Sequence, residues 1–341
     1  MMTMAALKIV EPVLGETPAS PPPASSSSRE IKSVTVPERL KANPVLTWMG
    51  SRNWPSARGL FEALWPPVLG VFSFLLLWAV LAPQVKTSLG ALPGPGDVWT
   101  AFLGLMAEHG AARADAAVAA GRLYSGPPTF IDQIFTSLIT VGTGFALASV
   151  VAVPLGLIAG LSKRINAAIN PIIQVMRPVS PLAWLPIVTM VVSASITGSD
   201  PMFAKAFVIS AVVVMLCSLW PTLINTAVGV ASIDKDLLNV GRVLRLGWFA
   251  KLTKLVLPSA MPYIFTGMRL SLGVGWMVLI AAEMLAQNPG LGKFVWDEFQ
   301  NGNDRSLARI MVAVVVIGLI GVVLDQVMGM LQRFASRNAG R

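Results

Sequence analysis

The chain has little charge and almost none of the residues on which enzymes and metal sites depend. Lys, Arg, Asp and Glu make up 13% of its 341 residues, against about 25% in soluble globular domains. The one cysteine, Cys217, lies in an apolar run, and the one histidine is His109. These counts exclude a disulfide framework, a cysteine metal site, and the usual histidine-based zinc and proton-relay sites.

Motifs for catalysis and nucleotide binding are also missing from the sequence. No Gly-x-x-x-x-Gly-Lys-Ser/Thr segment occurs, so the chain lacks a phosphate-binding loop and is expected to bind no cofactor itself. No Ser/His/Asp, Cys/His or metal-ligating set of residues indicates an enzyme. The sequence therefore predicts a protein whose function is not catalysis.

Apolar sequence is abundant instead, since 54% of the residues are hydrophobic. A membrane-spanning helix needs about 20 apolar residues, and six segments meet this length, which predicts an all-α integral membrane protein. Their limits are 65–83, 133–161, 171–196, 203–224, 258–285 and 309–331. The third segment contains Pro178, Pro181 and Pro186, so we expect it to be bent or partly unwound and to lie near a pathway or an interface.

Basic residues indicate which side of the membrane each loop faces. Seventeen of the 26 Lys and Arg residues fall on one side, seven on the other, and two within the spans. Because cytoplasmic loops are enriched in Lys and Arg, both termini and the loop after the fourth span are expected to be cytoplasmic. The net charge of +9 follows from this asymmetry and does not predict a nucleic-acid partner.

The remaining segments complete the predicted organisation. Residues 1–64 form a cytoplasmic leader, whose first 35 residues are rich in Pro and Ser and predict disorder. Its second part, 36–64, is either an interfacial helix or a solvated linker. Residues 84–130 are expected to be periplasmic, with a short helix over 97–106. A helical core over 131–335 and a cytoplasmic tail over 336–341 follow.

A charged segment with helical periodicity separates the fourth and fifth spans. Its apolar residues recur on one helical face, and polar residues occupy the rest. The apolar set is Ile233, Leu237, Val240, Gly241 and Leu244, and the polar set is Asp234, Lys235, Asp236, Asn239, Arg242 and Arg245. We expect Ser232 to be the N-cap with Asp234 in the first turn, Gly247 to end the helix, and a second helix to run to Pro258. The spacing alone favours docking on a protein and adsorption to anionic lipid equally.

The same segment carries a resemblance to a known family. Permeases of ABC importers share a loop written E-A-A-x-x-x-G, followed by I-x-L-P. Here Asn239-Val240-Gly241 take the E-A-A positions, Arg245 takes the glycine, and Val256-Leu257-Pro258 follow. Further matching segments are Leu92-Pro93-Gly94-Pro95, MRPVSPLAWLP at 176–186, PYIFTGMR at 262–269 and Ala281-Ala282-Glu283-Met284. Over residues 90–335 the chain resembles the nitrate/nitrite/cyanate/bicarbonate branch of the nitrate–sulfonate–taurine permeases.

This resemblance implies a fold and a set of partners. The fold would be that of a type I, MetI-like ABC importer permease with six transmembrane helices, in a bacterial inner membrane. Residues 232–246 would be the coupling helix, which docks on a cytoplasmic ATPase subunit. Two permease copies, as a homodimer, would work with two ATPase subunits that bind ATP and Mg²⁺ and with a periplasmic or lipid-anchored binding protein.

The resemblance also implies the class of solute. A small inorganic anion would be imported, with nitrate first and nitrite, cyanate and bicarbonate open. Taurine and alkanesulfonates are the alternative from the neighbouring branch. A secondary transporter or a channel that works alone is the alternative from another class of protein.

The fifth span has two distinct faces. Gly267, Ser271 and Gly275 have the small-xxx-small spacing with which helix backbones approach closely. On the opposite side lies Arg269, near mid-depth, where a charge costs about 2.5–3.5 kcal/mol on insertion scales. Arg269 therefore either faces the solute pathway, where it attracts an anion, or is satisfied by helix-end carbonyls or by a carboxylate on another span.

Four other residues are candidates for the translocation pathway. Arg177 lies near the cytoplasmic end of its span, where snorkelling is the alternative. Glu283 is expected at the outer interface, to hold a gate or receive the binding protein. Trp184 and Trp276 are either gate residues or packing residues between helices. Asp325 is expected to cap or pair near the cytoplasmic end of the last span.

Overall fold

A computed structural model of the protein describes residues 57–87, 90–118, 126–196, 205–303 and 305–339. In chain order its elements are α1 (Ala57–Leu81), a 3-10 turn (Ala82–Gln84), β1 (Lys86–Thr87), β2 (Gly90–Ala91), α2 (Pro95–Val118), α3 (Phe130–Leu161), α4 (Lys163–Met176), α5 (Pro181–Ser195), α6 (Lys205–Ala231), α7 (Lys235–Val243), α8 (Trp248–Lys251), a π-helical turn (Leu252–Val256), α9 (Leu257–Ala286), α10 (Leu291–Asn301) and α11 (Ser306–Ala339). The strands form one short antiparallel pair. The chain divides into the unit 1–69, whose described part is the first half of α1, and the unit 70–341, which contains the other elements.

Five of these segments are long and apolar enough to cross a membrane, which confirms an all-α membrane protein. They are Leu64–Gln84, Phe130–Leu161, Lys205–Ala231, Trp248–Ala286 and Ser306–Ala335. Helices α4 and α5 meet at an angle of 100° and together form a further candidate span. The first, second and sixth predicted spans agree with these segments within four residues at both ends. The fourth span ends seven residues after the predicted limit of 224, and the fifth begins ten residues before the predicted start at 258.

The bend predicted in the third span is confirmed, but the predicted start at residue 171 is wrong. Helix α4 begins at Lys163, because the Ser162 hydroxyl accepts the Ile165 N–H at 3.4 Å and caps it. The chain then turns at Pro178, which lacks the amide hydrogen that a continued helix would need. Helix α5 restarts at Pro181, where the Ser180 hydroxyl accepts the Leu182 N–H at 3.3 Å.

Helices α3, α6 and α9 pack closely because small residues face one another. A Cβ atom at Gly156 of α3 would lie 2.6 Å from the Thr226 Cβ of α6, and one at Gly267 of α9 would lie 2.8 Å from the Asn225 Cβ. A Cβ at Gly275 would lie 2.5 Å from the Ser218 Oγ. The predicted small-xxx-small face of the fifth span is therefore confirmed, and its partner is α6.

A hydroxyl bridge joins α9 to α6 between these glycines. Ser271 Oγ donates to the Ser218 carbonyl at 2.5 Å and accepts the Thr222 N–H at 3.1 Å. Pro221 lies within this turn of α6. Serine side chains that re-satisfy backbone groups near a proline are a common device in membrane helices, so Ser271 stabilises both the contact and the local helix.

The segment between α6 and α9 differs from the prediction at two points. The N-cap is Asp234, whose carboxylate accepts the Asp236 N–H at 3.0 Å, while the Ser232 hydroxyl donates to the Gly229 carbonyl at 2.9 Å. The helix also does not end before Pro258, because α8, the π turn and α9 form one helical run from 248 to 286. Pro258 has no amide hydrogen to donate within the helix, and the wider π turn before it lets the helix continue without that hydrogen bond.

Helix α2, between the first two spans, extends over Pro95–Val118, well beyond the predicted 97–106. It is tied to the start of α3, since His109 Nδ1 lies 2.7 Å from Thr129 Oγ1 and Arg113 pairs with Asp132 at 2.5 Å. The leader prediction lies outside the described residues up to residue 56. Its last part, 57–64, belongs to α1.

Candidate functional site

Helix α7 and the residues after it, up to the start of α8, carry exposed apolar side chains, here called the docking surface after the role proposed for them below. Its exposed side chains are Val240, Val243, Leu244, Trp248 and Phe249, of which Val243 is 82% exposed. The opposite side packs on the helical core, where Ile233 and Leu238 contact the cluster around Val256. The apolar face predicted from the sequence is thus divided, with Val240 and Leu244 exposed, Gly241 buried, and Ile233 and Leu237 half-buried.

Polar side chains surround the docking surface. Asp234 and Asp236 lie exposed at the N-terminus of α7, and Arg242 and Arg245 lie exposed at its C-terminus. This order complements the helix dipole. The Arg242 guanidinium donates to Asn239 Oδ1 at 3.1 Å. Lys235 is the first residue of α7.

Arg245 has the left-handed backbone that glycine favours, with φ of 49°. Its N–H donates to the Arg242 carbonyl at 2.9 Å, and the Leu246 N–H donates to the Gly241 carbonyl at 3.0 Å. This pair of hydrogen bonds is the Schellman motif that closes helix C-termini, usually with glycine at the left-handed position. The loop motif E-A-A-x-x-x-G has its glycine at this same position. The left-handed backbone at Arg245 therefore explains why the motif has a glycine there.

A second site joins α9 to α11 through an ion pair. Arg269 Nε donates to Asp325 Oδ1 and Arg269 Nη2 donates to Asp325 Oδ2, each at 2.5 Å. The two side chains are 44% and 49% exposed. The sequence left two interpretations of Arg269, and the structure shows the one in which a carboxylate on another span pairs with it. The role of Arg269 in the pathway stays a prediction. The sequence expectation that Asp325 pairs is confirmed by this contact, and its nearness to the cytoplasmic end of the last span stays a prediction.

Residues on both sides of this pair, where α9 lies against α11, are here called the polar lane, and they are Thr266, Gln332 and Gly273. Gln332 Nε2 donates to Thr266 Oγ1 at 3.0 Å, one helical turn before Arg269. On the other side of Arg269, Gly273 is exposed and has open space where a side chain would be. The sequence shows each of these residues, but only the fold brings the two helices together.

The carboxylate of Glu283 is buried and hydrogen-bonded. Glu283 is 0% exposed, and its predicted role in a gate or in receiving the binding protein stays a prediction. The carboxylate accepts the Ser137 hydroxyl at 2.8 and 2.9 Å and the Gly292 N–H at 3.0 Å. Asn288 Nδ2 lies at 3.5 Å. Glu283 therefore caps the N-terminus of α10 and fastens it to α3 and α9.

The other three candidate pathway residues, Trp276, Trp184 and Arg177, have surroundings different from those of the ion pair. Trp276 is 5% exposed, and its Nε1 donates to the Ile317 carbonyl at 3.0 Å, so it packs between α9 and α11 as the alternative interpretation has it. Arg177 is exposed at the bend after α4, and Trp184 is half-buried on α5. Within the described residues, no three His, Cys, Asp or Glu side chains are placed to hold a metal ion.

Known proteins match this chain over most of its length. The profile of the family "Binding-protein-dependent transport system inner membrane component" matches residues 152–337. The bicarbonate transport system permease protein CmpB of Synechococcus elongatus is 34% identical, over 85% of this chain and 94% of that protein. The nitrate import permease protein NrtB of Synechocystis sp. is 38% identical, over 59% of this chain and 68% of that protein.

Two more distant matches are also found. A putative aliphatic sulfonates transport permease protein, SsuC of Bacillus subtilis, is 26% identical, over 76% of this chain and 82% of that protein. Among solved structures, an inward-facing form of the MetNI methionine ABC transporter matches with a TM-score of 0.48 and 12% identity, over 60% of this chain and 95% of that chain. The long profile match and the near full-length relatives lead to one conclusion: the chain belongs to the family of inner-membrane components of binding-protein-dependent transport systems.

Proposed function

We propose that this chain is the permease subunit of an ATP-driven importer of a small inorganic oxyanion, nitrate or bicarbonate. The observation that carries the proposal is the match to a bicarbonate permease over 85% of this chain and 94% of that protein. The nitrate permeases are more identical over a shorter part. Nitrate, the first choice from the sequence, and bicarbonate are therefore proposed together.

The docking surface supports a coupling role for α7. Five exposed apolar side chains, two on the short capped helix α7 and three on the residues that follow it, lie near basic residues and are suited to a groove on another protein. We assign that groove to a cytoplasmic ATPase subunit, which binds ATP and Mg²⁺ and supplies the energy. The excess of Lys and Arg on one side supports a cytoplasmic location for α7 and for both termini.

The assembly in this proposal contains two copies of the permease, two ATPase subunits and a periplasmic or lipid-anchored binding protein. The binding protein delivers the anion, and closure of the ATPases moves α7 as a lever. The helical run from 248 to 286 begins five residues after the end of α7 and continues into the span that contains Arg269. Arg269 and the polar lane are proposed to face the anion, because an exposed ion pair at mid-helix needs water or protein around it.

The test is reconstitution of the permease in vesicles with candidate ATPase and binding-protein subunits from the same organism. ATP-dependent accumulation of ¹⁵N-nitrate or ¹⁴C-bicarbonate is the expected result. Accumulation of taurine or an alkanesulfonate alone would support the runner-up, a sulfonate permease, which the relative from Bacillus subtilis favours. Uptake by the permease alone, without ATP, would indicate a secondary transporter and contradict the proposal.

A further inference from the structure

The Arg269–Asp325 pair has the geometry of an anion-binding fork that is already filled. Two guanidinium N–H groups, on Nε and Nη2, meet the two carboxylate oxygens, one donor to each oxygen. A planar guanidinium selects two coplanar oxygens held by one atom. The Asp325 carboxylate satisfies that requirement, and so do nitrate and bicarbonate.

The pair lies in the middle of two long helices. Arg269 is about 18 Å from the start of α9 and about 26 Å from its end, at 1.5 Å per residue. Asp325 is about 28 Å from the start of α11 and about 21 Å from its end. Both charges are thus far from the helix ends, within segments that are long enough to cross a bilayer.

At that depth the exposure of the pair has a consequence. Charged side chains inside membranes face a water-filled cavity or a protein partner and not lipid. The polar lane extends the polar surface beyond the pair. Thr266 and Gln332 form a hydrogen bond on one side of the pair, and Gly273 leaves open space on the other. Within a bilayer, the exposed side of the pair must therefore face water, a solute or a protein partner.

We propose that Asp325 is the resident counter-ion of Arg269, which a planar oxyanion displaces from the guanidinium as it passes. The inference rests on the proposed function, because it needs an anion in the pathway. The displaced carboxylate is half-exposed and is solvated by water when it leaves the fork. Asp325 thereby sets how tightly an anion is held, which must remain weak for the anion to leave.

The same geometry makes Arg269 and Asp325 determinants of specificity. Nitrate and bicarbonate present two coplanar oxygens to Nε and Nη2, as Asp325 does. Linear cyanate has a single oxygen and fills only half of the fork. The importer is therefore expected to discriminate against cyanate at this site, apart from any selection by the binding protein.

Nitrate binding to the purified permease–ATPase complex, without binding protein, tests the proposal. Asp325→Asn removes the negative charge and leaves at most one neutral acceptor oxygen in the fork, so its nitrate dissociation constant is expected to fall at least tenfold, while nitrate uptake in vesicles slows. The double variant Asp325→Asn/Arg269→Met is expected to lose the gain. Unchanged nitrate binding in Asp325→Asn would overturn the inference, because a purely structural ion pair predicts lower stability with no gain in affinity.

Arg269→Lys provides a second test that preserves the charge pair and hence the fold. A lysine has no planar fork, so competition by cyanate against nitrate uptake should strengthen at least threefold relative to the wild type. An unchanged competition ratio would contradict the inference. Failure of the proposed function is distinct, because the unmodified importer would then accumulate neither nitrate nor bicarbonate.

Discussion

Replacing Glu283 with alanine is expected to destabilise the protein, because its carboxylate is the acceptor for two buried donors. These donors are the Ser137 hydroxyl and the Gly292 N–H, whereas the Asn288 amide keeps a second partner in Thr140. A buried donor without an acceptor costs about 1–3 kcal/mol, so the free energy of unfolding should fall by about 2–6 kcal/mol. With an unfolding entropy of about 2.1 cal/mol/K per residue, this lowers the melting temperature by about 3–8 °C.

The assay is thermal unfolding of the purified protein in detergent, followed by tryptophan fluorescence. Glu283→Gln keeps one acceptor oxygen and should melt between the wild type and the alanine variant. Glu62→Ala removes an exposed carboxylate and should change stability by less than about 0.5 kcal/mol. If Glu283→Ala melts together with Glu62→Ala, the capping role of Glu283 is wrong.

Two further predictions concern the backbone. Arg245→Gly should relieve the left-handed strain by about 1 kcal/mol and slow hydrogen exchange of the 241–246 amides about fivefold, whereas Arg242→Gly, at a helical position, should speed it. Faster exchange in both variants would contradict the Schellman motif. Gly156→Val should prevent α3 from packing on α6 and abolish folded protein, while Gly142→Val on the same helix, with open space beside it, should fold normally. Equal yields of the two valine variants would refute the close helix contact.

The helices and their close contacts could be predicted from the sequence because their causes are local. Apolar length predicted the spans, and the spacing of Gly267, Ser271 and Gly275 predicted a close helix partner. The prolines at 178, 181 and 186 predicted an interruption. In each case the physical cause lies within one helix, so a single segment is enough to detect it.

Contacts between two distant segments could not be assigned to particular partners from the sequence. Asp325 is 56 residues from Arg269, and Ser137 is 146 residues from Glu283. A signal for the first pair was present, since two opposite charges inside apolar segments each need a partner. For Glu283, nothing in the local sequence distinguishes a buried cap from a residue at the membrane interface.

Two errors arose because the local sequence allowed two structures. Ser232 and Asp234 are both good N-caps, and only the geometry selects Asp234. Pro258 is typical of a helix start, but the π turn before it lets the helix continue. Helix propensity alone does not reveal the strain at Arg245, because arginine is an ordinary helix former, and the only sequence signal is its place at the motif's glycine.

The central claim is that α7 couples this permease to an ATP-hydrolysing partner, and Val243 tests it most directly. Val243 is the most exposed apolar side chain of the docking surface, so an aspartate there should block the contact without disturbing the fold. Val243→Asp is expected to lose ATP-driven anion uptake and co-purification with the ATPase at an unchanged melting temperature, while Val243→Ile keeps both. Full ATP-driven uptake by Val243→Asp would contradict the claim.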